Sequence, residues 1–307
     1  MGPIKLVIDT DPGIDDAMAI FLAAVSADIE LLGLTTIFGN VTTDIATRNA
    51  LRLLEAAGVD APVAPGAALP WGDWPFEPSW EVHGREGFGD IEPVTPVTDP
   101  VGESAAEFLT RLAREFPGEL VVCPLGPLTN IADALVRDPD FAGNVARIVL
   151  MGGSLDEGGN ITPHAEANIY HDPQAAEAVF ASGAPVEMVG LDVTHRVTCS
   201  EEDFDQIAKA SPELGGMLKR MSEYYLKFYR SVGKLDGCSL HDPAAIIACT
   251  HPHLFETRDV PIRVVTSGEE AGRTEAAEDG RKPTKVCVAV QGPEVKQLFL
   301  DRLAQLP

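Results

Sequence analysis

Short apolar runs alternate along the chain with longer amphipathic segments. The first run, residues 4–8, predicts a buried strand, and the apolar periodic segment at 17–25 predicts a helix. Later apolar runs predict further strands at 29–37, 119–123, 145–151 and 186–190. This alternation predicts an α/β fold: one large domain over residues 1–307, with a mostly parallel sheet, helices on both faces and right-handed crossovers.

Two segments interrupt the alternation. Residues 64–100 are rich in Pro and Gly and carry all three tryptophans, so they predict a loop insertion. Its aromatic rings either close over a flat ligand or pin the loop to the protein surface. Residues 200–236 predict a helical insertion near the site, running to about Leu235, with an aromatic-rich stretch from Tyr224 to Tyr229.

The turn after the first strand concentrates acidic residues. Within eight residues, 9–16, it carries Asp9, Asp11, Asp15 and Asp16. A helix cap requires one aspartate, whereas four like charges this close repel each other unless a cation lies among them. Hard divalent cations are held by carboxylate oxygens, so this turn predicts a metal site.

Other polar residues follow later strands and are expected at the same rim, because ligands of parallel sheets bind at the carboxyl ends of strands. Asn40 follows the second predicted strand, and a turn around Leu125 could direct backbone oxygens at the site. In Asp242-Pro243 and in Asp172-Pro173, the aspartate could simply be a helix N-cap, with the proline at the first helical position. The pair His251 and His253 indicates zinc only faintly, since no third soft ligand is near.

The charge balance narrows the classes of partner. With 23 Lys and Arg against 47 Asp and Glu, the formal net charge is −24, which repels nucleic acid and anionic membranes. Five scattered cysteines without a Cys-x-x-Cys spacing predict reduced thiols, buried at Cys123, Cys249 and Cys287. No apolar run is long enough to span a bilayer and no signal peptide is visible, so a cytoplasmic location is expected.

The acidic turn closely resembles the signature of the nucleoside hydrolases, the inosine–uridine-preferring N-ribohydrolases. Several separated motifs match in the same order over nearly the whole chain. They are Asp9-Thr10-Asp11-Pro12-Gly13-Ile14-Asp15-Asp16, Gly39-Asn40, Leu125-Gly126-Pro127-Leu128-Thr129-Asn130, Met151-Gly152-Gly153, the stretch from Gly159 to Asn168, and His241-Asp242-Pro243. The resemblance implies the nucleoside hydrolase fold and hydrolysis of ribonucleosides to base and ribose. It also implies a bound Ca²⁺ and assembly as a homodimer or homotetramer.

The resemblance also implies catalytic and metal-binding roles. Asp11 matches a position that is both a calcium ligand and the general base for the attacking water. Asp16, the main-chain carbonyl of Leu125 and Asp242 match the remaining protein ligands. His241 matches the residue that protonates the departing base in one branch of the family.

Sugar-binding roles are implied in the same way. Asp15 and Asn168 match positions that hold the lower ribose hydroxyls, and Asn160 and Glu166 match those that hold the 5′-hydroxyl. Many relatives have an aromatic residue where this chain has Ala167, so the resemblance says less about how the base is held.

Further matches line the sugar and the base. Asn40 and Met151 match residues of the sugar pocket, and His83 and Tyr229 resemble residues on the base side. The net negative charge favours nucleosides over nucleotides.

Two alternatives stay open. An aspartate-nucleophile phosphohydrolase that uses magnesium would need a later Lys to hold phosphate, and it would leave Asn160, Glu166 and His241 without roles. A nucleoside-binding protein without catalysis would be expected to lack the base or a ligand, yet Asp11 and Asp242 are both present.

Overall fold

The computed structural model describes residues 2–232 and 237–307. The strands in this part of the chain are Ile4–Thr10 (β1), Ile29–Thr36 (β2), Val63–Pro65 (β3), Leu120–Pro124 (β4), Arg147–Met151 (β5), Val186–Val189 (β6), Thr198–Cys199 (β7), Cys238–Ser239 (β8), Phe255–Val260 (β9), Ile262–Val264 (β10), Thr274–Ala276 (β11) and Thr284–Val290 (β12). The helices are Ile14–Val25 (α1), Thr43–Ala57 (α2), Trp80–His83 (α3), Ala105–Glu115 (α4), Thr129–Arg137 (α5), Phe141–Asn144 (α6), Ala167–His171 (α7), Pro173–Ala181 (α8), Leu191–Thr194 (α9), Glu201–Ala210 (α10), Leu214–Ser231 (α11), His241–Thr250 (α12) and Gly292–Leu303 (α13).

One eight-stranded sheet organises the described residues. Its order is β3-β2-β1-β4-β5-β6-β12-β9, and every neighbouring pair is parallel except β12 and β9. This confirms the predicted α/β fold with a mostly parallel sheet. Strand β1 lies between β2 and β4, so the turn that follows it opens at the middle of the rim.

Apolar cores cover both faces of the sheet. In β1, Leu6 and Ile8 join the core on one face, whereas Val7 joins the core on the other. Successive side chains of a strand point to opposite faces, so a strand buried on both sides is apolar at almost every position. Both cores support β1 and thereby fix the acidic turn.

Local signals set several helix boundaries. Helix α2 ends at Gly58, which adopts the left-handed conformation with φ 66° and caps the helix. Helix α8 begins as predicted, with Pro173 at the first helical position and the Asp172 side chain accepting from the Ala175 amide.

The structure contradicts the N-cap alternative for Asp242. Helix α12 begins at His241 with Leu240 as its N-cap, so Asp242 lies in the first helical turn and is no cap. Helix α5 begins at Thr129, with Leu128 as its N-cap. The segment predicted to be helical from residue 200 contains two helices, α10 and α11, and its predicted end at Leu235 lies outside the described residues.

Two tryptophans, Trp71 and Trp74, anchor the loop at 64–100 to the rest of the protein. The Trp71 indole donates to Asp133 at 2.8 Å, and the Trp74 indole donates to the Tyr170 carbonyl at 2.8 Å. Trp80 is 41% exposed and stacks against the Arg85 guanidinium. These contacts support the surface-pinning alternative, whereas His83 at the end of α3 is buried.

All five cysteines are free and buried, as predicted for Cys123, Cys249 and Cys287. Among the described residues, no helix is both long and apolar enough to cross a membrane.

Candidate active site

A cavity of about 220 Å³ opens at the rim where β1, β4 and β5 end. It collects most of the residues that the sequence singled out. From those predictions it is lined by Asp15, Asn40, His83, Leu125, Met151, Asn160, Glu166, Asn168, Tyr229, His241 and Asp242. Asp11 and Asp16 do not line it but lie fully buried beside it. The structure therefore brings together residues that are up to 231 positions apart in sequence.

Asp11 lies at the tightest point of the turn. One of its carboxylate oxygens, Oδ2, accepts the Asn40 amide at 2.6 Å, and the other, Oδ1, has no hydrogen-bond partner. A Cβ atom at Gly39 would lie 2.0 Å from Oδ2, and one at Gly126 would lie 2.4 Å from Oδ1. Burial and the Asp16 charge raise the pKa of Asp11 well above its ordinary value.

Asp16 lies in the first turn of α1 and accepts hydrogen bonds from neutral donors. Its Oδ1 accepts the Thr10 hydroxyl at 2.5 Å, and its Oδ2 accepts the Gly13 amide and the Asn40 side-chain amide, both at 3.0 Å. Burial and then the Asp15 charge raise the pKa of Asp16 to about 6. These neutral donors do not neutralise the charge of the carboxylate.

Oxygens of Asp15, Asp16 and Asp242 lie within 4.8 Å of one another, and all three residues are buried. This grouping contains Asp15, which the resemblance assigned to the sugar, and does not contain Asp11. Burial and then the charges of Asp15, Asp16 and Asp11 raise the pKa of Asp242 well above its ordinary value. The arrangement is a pocket of mutually repelling carboxylates, which suits a cation.

Asn168 links the ends of two strands. Its side-chain amide donates to the Leu125 carbonyl at 2.7 Å and to the Met151 carbonyl at 3.1 Å. Glu166 lies next to it and accepts backbone amides of Asn168 and Gly153, each at 2.9 Å. Burial raises the pKa of Glu166 to about 7.

Asn160 stands at the open side of the cavity and is exposed. Its side-chain oxygen accepts the Ala167 amide at 2.9 Å, which joins the loop before α7 to the helix. Ala167 and Ile161 also line this side of the cavity.

His83 faces the acidic turn as a neutral ring. Its Nδ1 accepts the Ile14 amide at 3.1 Å and lies 3.7 Å from the Asp15 carboxylate. Burial lowers the pKa of His83 to about 4, so the ring is uncharged near neutral pH. Its contact with Asp15 is therefore no ion pair at that pH.

His241 is contacted at both ring nitrogens. Its Nε2 lies 2.8 Å from the Tyr229 hydroxyl, and its Nδ1 lies 2.8 Å from the Thr194 hydroxyl. Burial raises the pKa of Tyr229 far above its ordinary value, so the phenol keeps its proton.

Among the residues that the sequence reasoning missed, three contact predicted site residues. Tyr225 donates its hydroxyl to Asp15 Oδ2 at 3.0 Å, Thr194 contacts His241, and His195 lines the cavity. The four-residue spacing from Tyr225 to Tyr229, which places both on one face of α11, could have found the first.

No Lys or Arg lines this cavity within the described parts of the chain. A phosphohydrolase would need such a residue to hold phosphate, so the lining disfavours that alternative. The histidine pair His251 and His253 has ring centroids 5.7 Å apart and belongs to no group of three metal-ligating residues among the described residues.

Over residues 6–297 the sequence matches a protein family described as inosine-uridine preferring nucleoside hydrolase. A protein of Arabidopsis thaliana described as probable uridine nucleosidase 2 is 44% identical over 98% of both chains. A solved plant nucleoside hydrolase, the PpNRh1 enzyme, is 39% identical with a TM-score of 0.95 and covers 99% of each chain. A purine-preferring ribonucleoside hydrolase from Gardnerella vaginalis also gives a TM-score of 0.95, at 36% identity over 98% of each chain.

Proposed function

Since the chain belongs to the inosine–uridine preferring nucleoside hydrolases, enzymes that cleave the N-glycosidic bond of ribonucleosides, we propose how its own residues perform this reaction. A water molecule attacks the anomeric carbon while Asp11 takes its proton, and the departing base is protonated from the side of His241. Ca²⁺ is the cofactor. Family membership favours this reaction over the two alternatives, a phosphohydrolase and a nucleoside-binding protein without catalysis.

One observation carries the proposal. Asp11, Asp15, Asp16 and Asp242 are buried together, and single oxygens of Asp11 and Asp15 have no hydrogen-bond partner. Burying unpaired charge is costly, so oxygens left this way suit ligands that the protein itself does not supply.

The donor set fits a hard cation. Asp11, Asp16, Asp242 and the Leu125 carbonyl offer oxygen only, as calcium prefers, whereas zinc favours His and Cys. The proximity of Asp15 to Asp16 and Asp242 leaves Asp15 as a further candidate ligand. A cation held by these oxygens would lower the pKa of the attacking water and would help to orient the sugar hydroxyls.

Asp11 suits the role of general base. Because the Asn40 amide holds Oδ2, the partnerless Oδ1 keeps a fixed direction in which it can accept a proton. Direct attack by water, without a covalent intermediate, inverts the configuration at the anomeric carbon.

The sugar contacts are proposed as the resemblance implies. Asp15 is oriented by the Tyr225 hydroxyl and receives a lower ribose hydroxyl, with Asn168 beside it. Asn160 and Glu166 hold the 5′-hydroxyl, and both line the cavity. The transition state develops positive charge on the sugar, and this acidic surrounding stabilises that charge.

We place the departing base at the side of the cavity that is lined by His241 and Tyr229. His241 and Tyr229 share a 2.8 Å contact there, so together they can deliver a proton to a basic nitrogen or oxygen of the base. His83, Asn40 and Met151 complete the walls around the sugar and the base.

We propose uridine as the first substrate to test, because the Arabidopsis relative is described as a probable uridine nucleosidase. Inosine and adenosine belong in the same panel, because the Gardnerella relative is described as purine-preferring. Reducing sugar released from each nucleoside measures the reaction. Release of ribose from none of them would refute the proposal, and uridine 5′-monophosphate serves as the expected poor substrate because no cationic residue described in the cavity wall would hold its phosphate.

The remaining parts of the proposal concern the cellular setting. We expect a cytoplasmic homodimer or homotetramer that acts in nucleoside salvage, in which the free base is recovered. Light scattering coupled to size-exclusion chromatography measures the oligomeric state, and a monomer at micromolar concentration would refute that part.

A further inference from the structure

We place the His241 ring at the leaving group. One of its two hydroxyl contacts is Tyr229, and the other is Thr194. Thr194 is fully buried, and its Oγ1 lies 2.8 Å from His241 Nδ1. We propose that Thr194 is a positioning residue for leaving-group departure, holding the His241 ring so that Nε2 faces Tyr229. This inference rests on the proposed role of His241.

The two contacts together define the orientation of the ring. With Nε2 at 2.8 Å from the Tyr229 hydroxyl and Nδ1 at 2.8 Å from Thr194, a flip of the imidazole by 180° would replace both nitrogens by carbons. A hydroxyl can donate or accept, so Thr194 suits either tautomer of the ring. Without this contact, one of these two restraints on the ring orientation would be lost.

Thr194 itself sits on a firmly attached element. It ends α9, and its backbone amide donates to the Gly190 carbonyl at 3.1 Å. The amide of Leu191, at the start of α9, donates to the Gly153 carbonyl at 2.9 Å. A Cβ atom at Gly190 would lie 2.7 Å from that same carbonyl oxygen, so α9 packs directly on the loop that follows β5. The hydroxyl therefore has a fixed position relative to the cavity.

A purely structural role is the competing explanation, in which Thr194 only satisfies a buried ring nitrogen. The two explanations differ in which substrates they affect. A nucleoside needs its base protonated as it leaves, whereas p-nitrophenyl riboside releases a stable anion without that proton. A positioning role therefore affects uridine selectively, and a structural role affects both substrates alike.

The test compares kcat for uridine with kcat for p-nitrophenyl riboside in each protein, with calcium present. Thr194→Val keeps the shape and removes the hydroxyl, and we expect kcat for uridine to fall roughly tenfold to a hundredfold. The rate with p-nitrophenyl riboside should stay within about threefold of the wild-type rate, a smaller change than one lost hydrogen bond usually causes. Thr194→Ser keeps the hydroxyl and should restore most of the uridine rate.

Thr110→Val is the matched control. Thr110 is also a buried threonine, but its hydroxyl donates to the Ala106 carbonyl within α4, away from the cavity. We expect Thr110→Val to leave the ratio of the two rates unchanged. The ratio does not depend on how much of a preparation is folded, so it remains informative for a destabilised variant.

The outcomes separate this inference from the proposed function. Equal losses on both substrates, or a wild-type ratio, in Thr194→Val would overturn the positioning role. His241→Ala should lower the uridine rate at least as much as Thr194→Val does. If His241→Ala spares uridine, the proposed acid role fails and the positioning role fails with it. If only Thr194→Val spares uridine, the acid role stands and the inference alone is wrong.

Discussion

Replacing Asp242 by Asn separates the effect of the buried charges from the effect of the cation. The amide keeps the shape of the side chain and removes one carboxylate from the buried group formed by Asp11, Asp15, Asp16 and Asp242. In the ion-free protein these charges repel one another, so the variant should be at least as stable as the wild type. This outcome is unusual, because most substitutions at buried positions destabilise by about 1 kcal/mol.

Calcium should reverse the order of stability. A cation that binds only the folded protein stabilises it by about 2.7 kcal/mol at a concentration 100 times its Kd. Unfolding entropy of about 2.1 cal/mol/K per residue gives about 0.64 kcal/mol/K for a chain of 307 residues. The wild type should therefore gain about 4 °C in Tm. The Asp242→Asn variant, which lacks one ligand, should gain little at the same concentration.

Thermal unfolding measured after dialysis against a chelator, and again during a calcium titration, provides the assay. Asp138→Asn is the matched control, because Asp138 is also buried but accepts from Arg114 at 2.9 Å away from the cavity. Breaking that pair should lower the Tm of the ion-free protein. It should leave the 4 °C calcium shift intact, since the carboxylates of the turn are unchanged.

Three results would refute the reasoning. An equal calcium shift in Asp242→Asn and the wild type would remove Asp242 from the ligand set. A large loss of stability in ion-free Asp242→Asn would show that its carboxylate contributes favourable contacts that outweigh the repulsion. Activity that survives exhaustive chelation would remove the cation from the reaction altogether.

Three further predictions concern single side chains. Asp11→Ala should lower kcat for uridine at least a hundredfold at saturating calcium, the usual contribution of a general base, and near-normal turnover would contradict that role. Tyr225→Phe removes the donor to Asp15 and should lower kcat/KM for uridine about tenfold, whereas unchanged kinetics would show that Asp15 needs no such donor. Burial lowers the pKa of His171 from 6.5 to about 4, so the unfolded chain takes up the proton first and stability is lost as the pH falls through that window. His171→Phe should remove up to about 3 kcal/mol of this acid-induced loss, and a pH-independent difference in Tm between variant and wild type would contradict it.

The features predicted well from sequence are those with local causes. The run at residues 4–8 is apolar because β1 is buried on both faces, and α8 begins at Pro173 because proline suits the first helical position. Alternating strands and helices then imply a parallel sheet and a shared rim. This topology alone was enough to predict that Asp11 and Asn40 lie on the same rim, where they form a hydrogen bond.

The features that were missed depend on distant contacts. Tyr225 reaches Asp15 only because α11 packs over the rim, 210 positions later in sequence. Thr194 has no local signature in the sequence, because its role depends on a contact with His241, which lies on another helix. The start of α12 at His241 was placed too late, because Asp-Pro is also the usual order of an N-cap and first helical residue.

The first turn of α12 connects the two ends of the proposed reaction. Asp242 faces the acidic turn, whereas the adjacent His241 faces Tyr229 and the base side of the cavity. Successive helical positions point about 100° apart, so one short segment can serve both sides of the sugar. This places negative charge beside the atom that becomes positive and a proton donor beside the base that becomes negative. A displacement of α12 would disturb both at once, so variants that shift its N-terminus should impair metal binding and leaving-group departure together, while Thr194→Val should impair only the second.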